Sequence, residues 1–171
     1  MRKVGLLILI IGLTGCVSIK VPISDTKNYK VIEDKVTTNE YQIGDNGYLI
    51  CDVLGIEYIN KDSLRTKKII VKRDERQIQI TLNHNNKDIT RYFKYKVKTA
   101  DKELKCKTKT KIGLLPPIVW DIQNESNSIC IDSDDNLIIY HHHGGGLFFV
   151  FFPFGGASTG QMQGTFKLVE N

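Results

Sequence analysis

The chain has 171 residues, of which 24 are lysine or arginine and 19 are aspartate or glutamate, giving a formal net charge of +5. This length provides one domain with a substantial apolar core and is too short for two. The lysines lie at alternating positions among acidic residues, without the interleaved aromatic residues of a nucleic-acid surface. No nucleic-acid partner is therefore expected.

The first residues have the pattern of an export signal. Arg2 and Lys3 precede residues 4–13 (VGLLILIIGL), which carry no charge. A helix of this length rises about 15 Å, half of a ~30 Å hydrocarbon core, so the run is too short for a transmembrane anchor and suits a secretory signal. The run closes with the tetrapeptide Leu13-Thr14-Gly15-Cys16.

This N-terminus resembles a bacterial lipoprotein signal peptide, and its closing tetrapeptide resembles the lipobox. The resemblance implies that Cys16 receives a diacylglycerol, that the peptide is cut before it, and that the new amino terminus is acylated, as with palmitate. Two or three acyl chains at ~0.8 kcal/mol per buried CH₂ would form a durable anchor. The alternatives are an ordinary secretory signal with a chance cysteine and a short core helix.

Three regions follow from this interpretation. Residues 1–15 are the signal peptide, residues 16–28 are the lipidated N-terminus with a tether, and residues 29–171 are a β-rich globular domain. Without the signal, 22 basic residues face 19 acidic ones, a mild excess of +3. Val17 follows the cysteine, where aspartate would mark inner-membrane retention in enteric bacteria. The resemblance thus implies the outer membrane, facing the periplasm, in a Gram-negative host.

Beyond the tether the hydrophobic pattern has a period of two residues. Residues 77–82 (QIQITL) alternate cleanly, and turn-forming residues 83–88 connect them to a second strand containing Phe93. With residues 67–73 they predict a three-stranded antiparallel meander. Further strands are predicted over residues 48–54 (continued by 56–59), 129–131, 137–140 and 162–169, with a turn at 132–136.

Two segments have a special composition. Residues 105–111 (KCKTKTK) place a lysine at every second position, which predicts an edge strand. Residues 114–120 (LLPPIVW) contain adjacent prolines that remove two ladder donors, so they predict a covering loop whose Trp120 caps the core. No segment keeps a helical period over three turns. The fold class is therefore mainly β, an antiparallel sandwich or small barrel of roughly eight to ten strands in a single domain.

Three cysteines remain besides Cys16, and export would place them in an oxidising compartment. One disulfide and one leftover thiol is the simplest arrangement, with all three pairings open. The short separation of Cys106 and Cys130 favours that pair, which would stabilise the fold by roughly 3 kcal/mol in the chain-entropy model. Cys51, the alternative partner, would then be a buried free thiol. The spacings fit neither a zinc site nor a redox pair.

Histidines and aspartates form one weak metal-binding pattern. His141 and His143 project from the same face of a strand, and Asp132 or Asp134 across the turn could complete a ligand shell. The spacing Asp132-x-Asp134-x-Asn136 also copies the start of an EF-hand loop, but Leu137 stands in place of the invariant glycine and no flanking helices are indicated. A solvated turn and a polar strand end are the competing interpretations.

A G-x-S-x-G pattern at residues 156–160 resembles the nucleophile elbow of hydrolases. That elbow needs a helix after Ser158 and a histidine later in the chain, and no histidine follows. A glycine-rich turn is the favoured interpretation.

The most apolar stretch beyond the signal is residues 147–154 (LFFVFFPF), framed by glycines. A buried strand up to about Phe152 is favoured, because large apolar residues usually lie in a core. The alternative is an aromatic loop that contacts a membrane or a partner. Its candidate contact residues are Phe148, Phe149, Phe151, Phe152 and Phe154.

These features predict a lipid-anchored envelope protein that acts as a non-catalytic binding or structural module. Its expected partners are the membrane, through the N-terminal lipid, and an envelope protein, and no cofactor is expected. The alternative is a metal-handling lipoprotein that uses His141 and His143. An envelope hydrolase is the least favoured function.

Overall fold

The structure is a computed structural model that describes residues 28–31, 36–56, 60–98, 102–106, 109–115, 119–149, 152–153 and 158–170. Within these residues the chain forms ten strands and two helices. In chain order they are β1 (Thr37–Gln42), α1 (Gly47–Leu54), α2 (Lys61–Leu64), β2 (Lys68–Arg73), β3 (Gln77–His84), β4 (Lys87–Lys98), β5 (Glu103–Cys106), β6 (Lys109–Leu115), β7 (Val119–Ile131), β8 (Leu137–Phe149), β9 (Phe152–Pro153) and β10 (Ser158–Leu168).

Eight of these strands close into an antiparallel barrel. The order around the barrel is β1-β2-β3-β4-β5-β7-β8-β10, and β10 returns to pair with β1. The prediction of a mainly β, antiparallel single domain is confirmed, and the barrel is the form it takes. A barrel of eight strands has an interior that side chains can fill, so the core lies inside it.

The predicted meander is confirmed, and its alternation supplies much of the core. Ile78, Ile80 and Leu82 of β3 point into the barrel and are buried, as the period of two requires. Ile69 of β2 and Phe93 of β4 are buried on the same side. A one-residue slip of any of these strands would turn its apolar set toward water, so burial fixes the register.

The prediction of a strand over residues 48–54 is wrong, because this segment forms helix α1. Leu49, Ile50, Val53 and Leu54 are all buried in the main core. The helix ends at Gly55, whose φ of 67° is left-handed and whose N–H donates to the carbonyl of Asp52 at 3.0 Å. Such a short run, buried on most sides, lacks the alternation that distinguishes a strand from a helix. Residues 57–59, predicted to continue the strand, lie outside the described residues.

Helix α1 packs closely against β10. An added Cβ at Gly164 would lie 2.5 Å from Cδ2 of Leu49 and 2.7 Å from Oδ1 of Asn46. Asn46, just before the helix, donates from Nδ2 to the carbonyl of Thr165 at 2.7 Å. The absence of a side chain at Gly164 therefore sets how closely the helix approaches the wall of the barrel.

The lysine-rich segment and the proline-containing segment both differ from their predictions. The edge strand predicted over residues 105–111 is divided between two strands. β5 pairs with both β4 and β7 and is not an edge, whereas β6, which contains residues 109–111, lies at the edge of the described sheet beside β7, as predicted. In place of a loop over residues 114–120, β6 and β7 form a hairpin in which Leu115 pairs with Val119. The prolines fall in residues 116–118, which lie outside the described residues, as do residues 107–108.

Strands β7 and β8 are much longer than the short strands predicted there, because polar residues continue their ladder. The turn between them matches its prediction. Oδ1 of Asp132 accepts from the backbone N–H groups of Asp134 and Asn136, each at 2.9 Å. Asp135 adopts a left-handed φ of 64°. This is an aspartate-stabilised turn.

The segment before β1 attaches to the outside of the barrel at this turn. Tyr29 forms a β-bridge with Asp132, and the N–H of Lys30 donates to the carbonyl of Ile131 at 2.9 Å. Tyr29 also covers a small outer cluster of Cys130, Ile138 and Tyr140. The predicted signal peptide, Cys16 and the tether up to residue 27 lie outside the described residues.

The predicted disulfide between Cys106 and Cys130 is wrong, since Cys51, Cys106 and Cys130 are all buried free thiols. Leu104 pairs with Ile129 across β5 and β7, and both are buried in the main core. Cys106 shares the inward face of Leu104, whereas Cys130, one residue after Ile129, faces outward into the Tyr29 cluster. Thiols on opposite faces of one sheet cannot bond. Cys51 was correctly expected to be a buried free thiol.

A thiol titration checks this correction. Burial raises the pKa of Cys106 and of Cys130 to about 12, so their thiolate forms are scarce at neutral pH. We expect the chain from Val17 onward to react slowly with a thiol reagent when native and to titrate three thiols in denaturant without reductant. A count of one thiol in denaturant would show that the protein contains a disulfide.

Two glycines of β10 provide a matched test of helix packing. Gly164→Ala should lower the free energy of unfolding by about 1–3 kcal/mol, because buried Leu49 and hydrogen-bonded Asn46 must move. Gly160→Ala meets only the exposed ring of His143, which can rotate away, and should change stability by less than about 0.5 kcal/mol. Urea unfolding measures both, and equal losses would contradict this packing.

Candidate functional site

The inward-facing rows of β7 and β8 change from apolar to polar part of the way along the strands. Leu137 and Ile139 of β8 are core residues, and the next two inward positions are His141 and His143. On β7, the two inward positions before Ile129 are Asn127 and Glu125. They pair with His141 and His143, respectively. A polar layer therefore closes the apolar core at this end of the barrel.

Asn127 and His141 form the buried part of this layer. Each is about 95% buried, and Nδ1 of the histidine lies 2.8 Å from Oδ1 of the asparagine. Because the amide oxygen can only accept, Nδ1 carries the proton and donates it. Burial lowers the pKa of His141 below its ordinary value of 6.5, which Asp52 only partly offsets. The ring is therefore neutral near pH 7.

Arg91 joins this layer to helix α1. It occupies an inward position of β4, donates from Nη1 to the carbonyl of Val53 at 2.6 Å, and pairs through Nη2 with Glu125 at 3.3 Å. Its guanidinium carbon also lies 5.3 Å from the ring centroid of Phe93. The cation thus satisfies a carbonyl in the last turn of the helix, where backbone acceptors lack intrahelical partners.

His143 lies at the solvent side of the layer. Its ring centroid is 6.0 Å from that of His141, and the two planes are tilted by 32°. The ring covers Gly160, where an added Cβ would lie 2.2 Å from Cε1 of the histidine. Its exposure leaves the imidazole accessible to solvent.

The structure does not bring the four predicted metal ligands together. His141 and His143 share a face, as predicted, but Asp132 lies at the turn, several residues from either histidine along β8. Both carboxylate oxygens of Asp132 already accept hydrogen bonds within that turn. Asp134 lies in the same turn, and no group of three metal-binding side chains occurs in the part of the chain that the structure describes.

The G-x-S-x-G segment has the wrong local structure for a nucleophile elbow. Ser158 begins strand β10 and pairs with Gly145 of β8, whereas an elbow passes from a strand into a helix. Residues 156–157 lie outside the described residues.

Beyond the polar layer, β7 and β8 leave the barrel wall as an arm. We define the arm as residues 109–115, 119–126, 142–149, 152–153 and 158–161. Gln123 and His143 on its inward face are exposed, and so are Asn124 and Thr159 on its outward face. A barrel wall would have one face buried, so at these four residues the sheet is solvated on both sides.

The aromatic segment forms the far part of the arm. Phe148 and Phe149 end β8, and they pair with Pro153 and Phe152 of β9. Two of the candidate contact residues, Phe151 and Phe154, lie outside the described residues. Strand β8 ends at Phe149 and Phe152 begins β9, whereas the prediction was one strand up to about Phe152.

Little in the sequence indicated the polar layer. Arg91 is one of several basic residues in β4, and Glu125 and Asn127 lie in residues 123–128 (QNESNS), which have no apolar member to show alternation. The spacing of His141 and His143 was the one pattern that marked this part of β8 as a candidate site.

Comparisons with protein families, with curated proteins and with solved structures found no match to this chain. Among the described residues, no helix is long and apolar enough to cross a membrane.

The buried histidine predicts a pH dependence of stability. Because the folded state holds the pKa of His141 below 6.5, the unfolded chain takes up its proton first as the pH falls. The free energy of unfolding should decline from just above pH 6.5 until the lower, folded pKa is passed. Burial lowers the pKa of His142 as well, so both residues contribute.

His141→Gln should make this decline shallower, because glutamine does not titrate and can still hydrogen-bond to Asn127. Urea unfolding of parent and variant at a series of pH values between about 7 and 5 measures the slopes. An unchanged slope would show that His141 does not contribute to the pH dependence.

Proposed function

We propose that this protein is a lipid-anchored envelope protein whose β-barrel acts as a non-catalytic binding module. The observation that carries the proposal is the N-terminal sequence, in which a basic start and a ten-residue apolar run lead into Leu13-Thr14-Gly15-Cys16. The proposed location is the outer membrane, facing the periplasm, if the host is Gram-negative.

The attachment of the N-terminal segment supports an anchored orientation. Tyr29 and Lys30 are fixed beside the turn between β7 and β8, and Lys30 Nζ lies 2.6 Å from Asp135. The thirteen residues from Cys16 to Asn28 span at most about 45 Å when extended. A lipid on Cys16 would hold the barrel by this end, with the arm at the other.

The arm supports the role of a binding module. Its strands continue past exposed polar residues into two apolar runs of sequence, and a contiguous apolar set beyond a core is typical of an interaction surface. The metal-handling alternative has less support, since the described histidines lack a third ligand nearby.

Metabolic labelling with a fatty-acid analogue tests the anchor. The parent protein should incorporate label and fractionate with membranes, whereas Cys16→Ser should lose the label, because no other thiol lies in the lipobox. Val17→Ser, which leaves the thiol in place, is the matched control and should be labelled like the parent. Label on the Cys16→Ser protein would refute the proposal.

A further inference from the structure

The strand register brings two separate apolar runs of the sequence together at the end of the arm. Residues 114–120 (LLPPIVW) and residues 147–154 (LFFVFFPF) contain no polar residue. Leu114 pairs with Trp120, Trp120 with Phe148, and Phe148 with Pro153, so one row of backbone pairs crosses four strands. The next row is Leu115, Val119, Phe149 and Phe152. These eight residues are the apolar end of the arm.

The apolar end is separate from the core of the barrel. The last core pair on β7 and β8 is Ile129 with Ile139, and it is followed by the polar layer and then by the exposed residues Gln123 and Asn124. Nine residues of strand separate Ile129 from Trp120, which corresponds to about 30 Å. The polar, solvated sheet between them means that the apolar end does not continue the core.

We propose that the apolar end of the arm inserts into the surface layer of a lipid bilayer. Its two rows of backbone pairs extend about 7 Å along the strands. This matches the ~5–10 Å to which interfacial segments bury their apolar face and is far short of a ~30 Å hydrocarbon core. Asp121, next to Trp120, marks where the insertion stops.

The composition of the arm fits a bilayer surface better than a protein partner. Trp120 lies at the boundary between apolar and polar residues, the position that tryptophan favours at membrane interfaces. Lys111 pairs with Gln123, and Lys109 pairs with Glu125. These two pairs lie three and five positions from Trp120, in the direction of the barrel. Lysines at that distance along the strand suit a layer of lipid headgroups.

This inference names a target for the binding module proposed above and is independent of the lipid on Cys16. The arm and Tyr29 lie at opposite ends of β7, about 40 Å apart along the strand. A barrel tethered near Tyr29 therefore directs the apolar end away from its attachment point, and the tether is long enough to let it turn back.

Trp120 makes the proposal directly measurable, because it is the only tryptophan of the chain. The test uses the chain from Val17 onward, since the first barrel strand, β1, begins at Thr37. Vesicles of phosphatidylcholine and phosphatidylglycerol should shift its emission to shorter wavelength. Bromine near the headgroup end of the acyl chains should quench it more strongly than bromine near the bilayer centre.

A matched pair of variants locates the contact. Phe148→Asp with Phe149→Asp should abolish the emission shift and the sedimentation of protein with vesicles, because two charges would enter the apolar layer. Tyr92→Asp changes an aromatic residue of β4 that is 60% exposed on the barrel, and it should bind vesicles like the parent. If the double variant does not fold, the emission of the parent protein decides the question.

Three results would overturn the proposal. Emission that vesicles leave unchanged in the folded parent would exclude insertion. Short-wavelength emission without vesicles from a monomer would show that Trp120 packs against its own chain. The same emission from a protein that sediments as a dimer would show that Trp120 packs against a second copy. The protein used in this test begins at Val17 and lacks Cys16, so none of these results depends on lipidation. Failure of fatty-acid labelling would therefore leave the vesicle result intact.

Discussion

The antiparallel ladder between β7 and β8 is the contact on which both parts of this structure depend. From Ile131 and Leu137 at the turn, the ladder first closes the barrel by joining β5 on one side to β10 on the other. It then continues without a break to Val119 and Phe149, where it forms the centre of the arm. Without this pairing the barrel would have two open edges and the arm would lose its central strands.

The interior of the barrel is organised by one helix and one change of polarity. Helix α1 fills the core with aliphatic side chains and contacts β10 where Gly164 gives it room. Arg91 then binds the carbonyl of Val53 and the carboxylate of Glu125, so its charge is compensated at the boundary of the core. A buried cation without such partners would cost several kcal/mol.

The sequence predicted the parts of the fold that alternate and missed the parts that do not. Residues 67–97 were predicted correctly because a core face and a solvent face repeat with a period of two. Residues 48–54 were assigned to a strand because a short run buried on most sides shows no period. The extent of β7 was missed because residues 123–128 are all polar and show no alternation, although Asn127 and Ser128 are buried.

The candidate site was less predictable because it depends on register between distant strands. The histidine pattern pointed to the correct stretch of β8, but the partners Asn127, Glu125 and Arg91 are assigned by pairing that no local pattern encodes. The proposed disulfide failed for a related reason. A short separation in sequence favours encounter of two thiols, while the face on which each lies is set by the strand register.

The pairing of β1 with β10 has a consequence for the order of folding. On the side away from β2, Tyr41 and Gln42 pair with Leu168 and Lys167, so the barrel stays open until almost all of the described chain is present. The hairpins of β2, β3 and β4 are local and can form early, whereas closure is a late, long-range step. If the chain is exported as proposed, it can cross the membrane before any closed barrel exists to obstruct it.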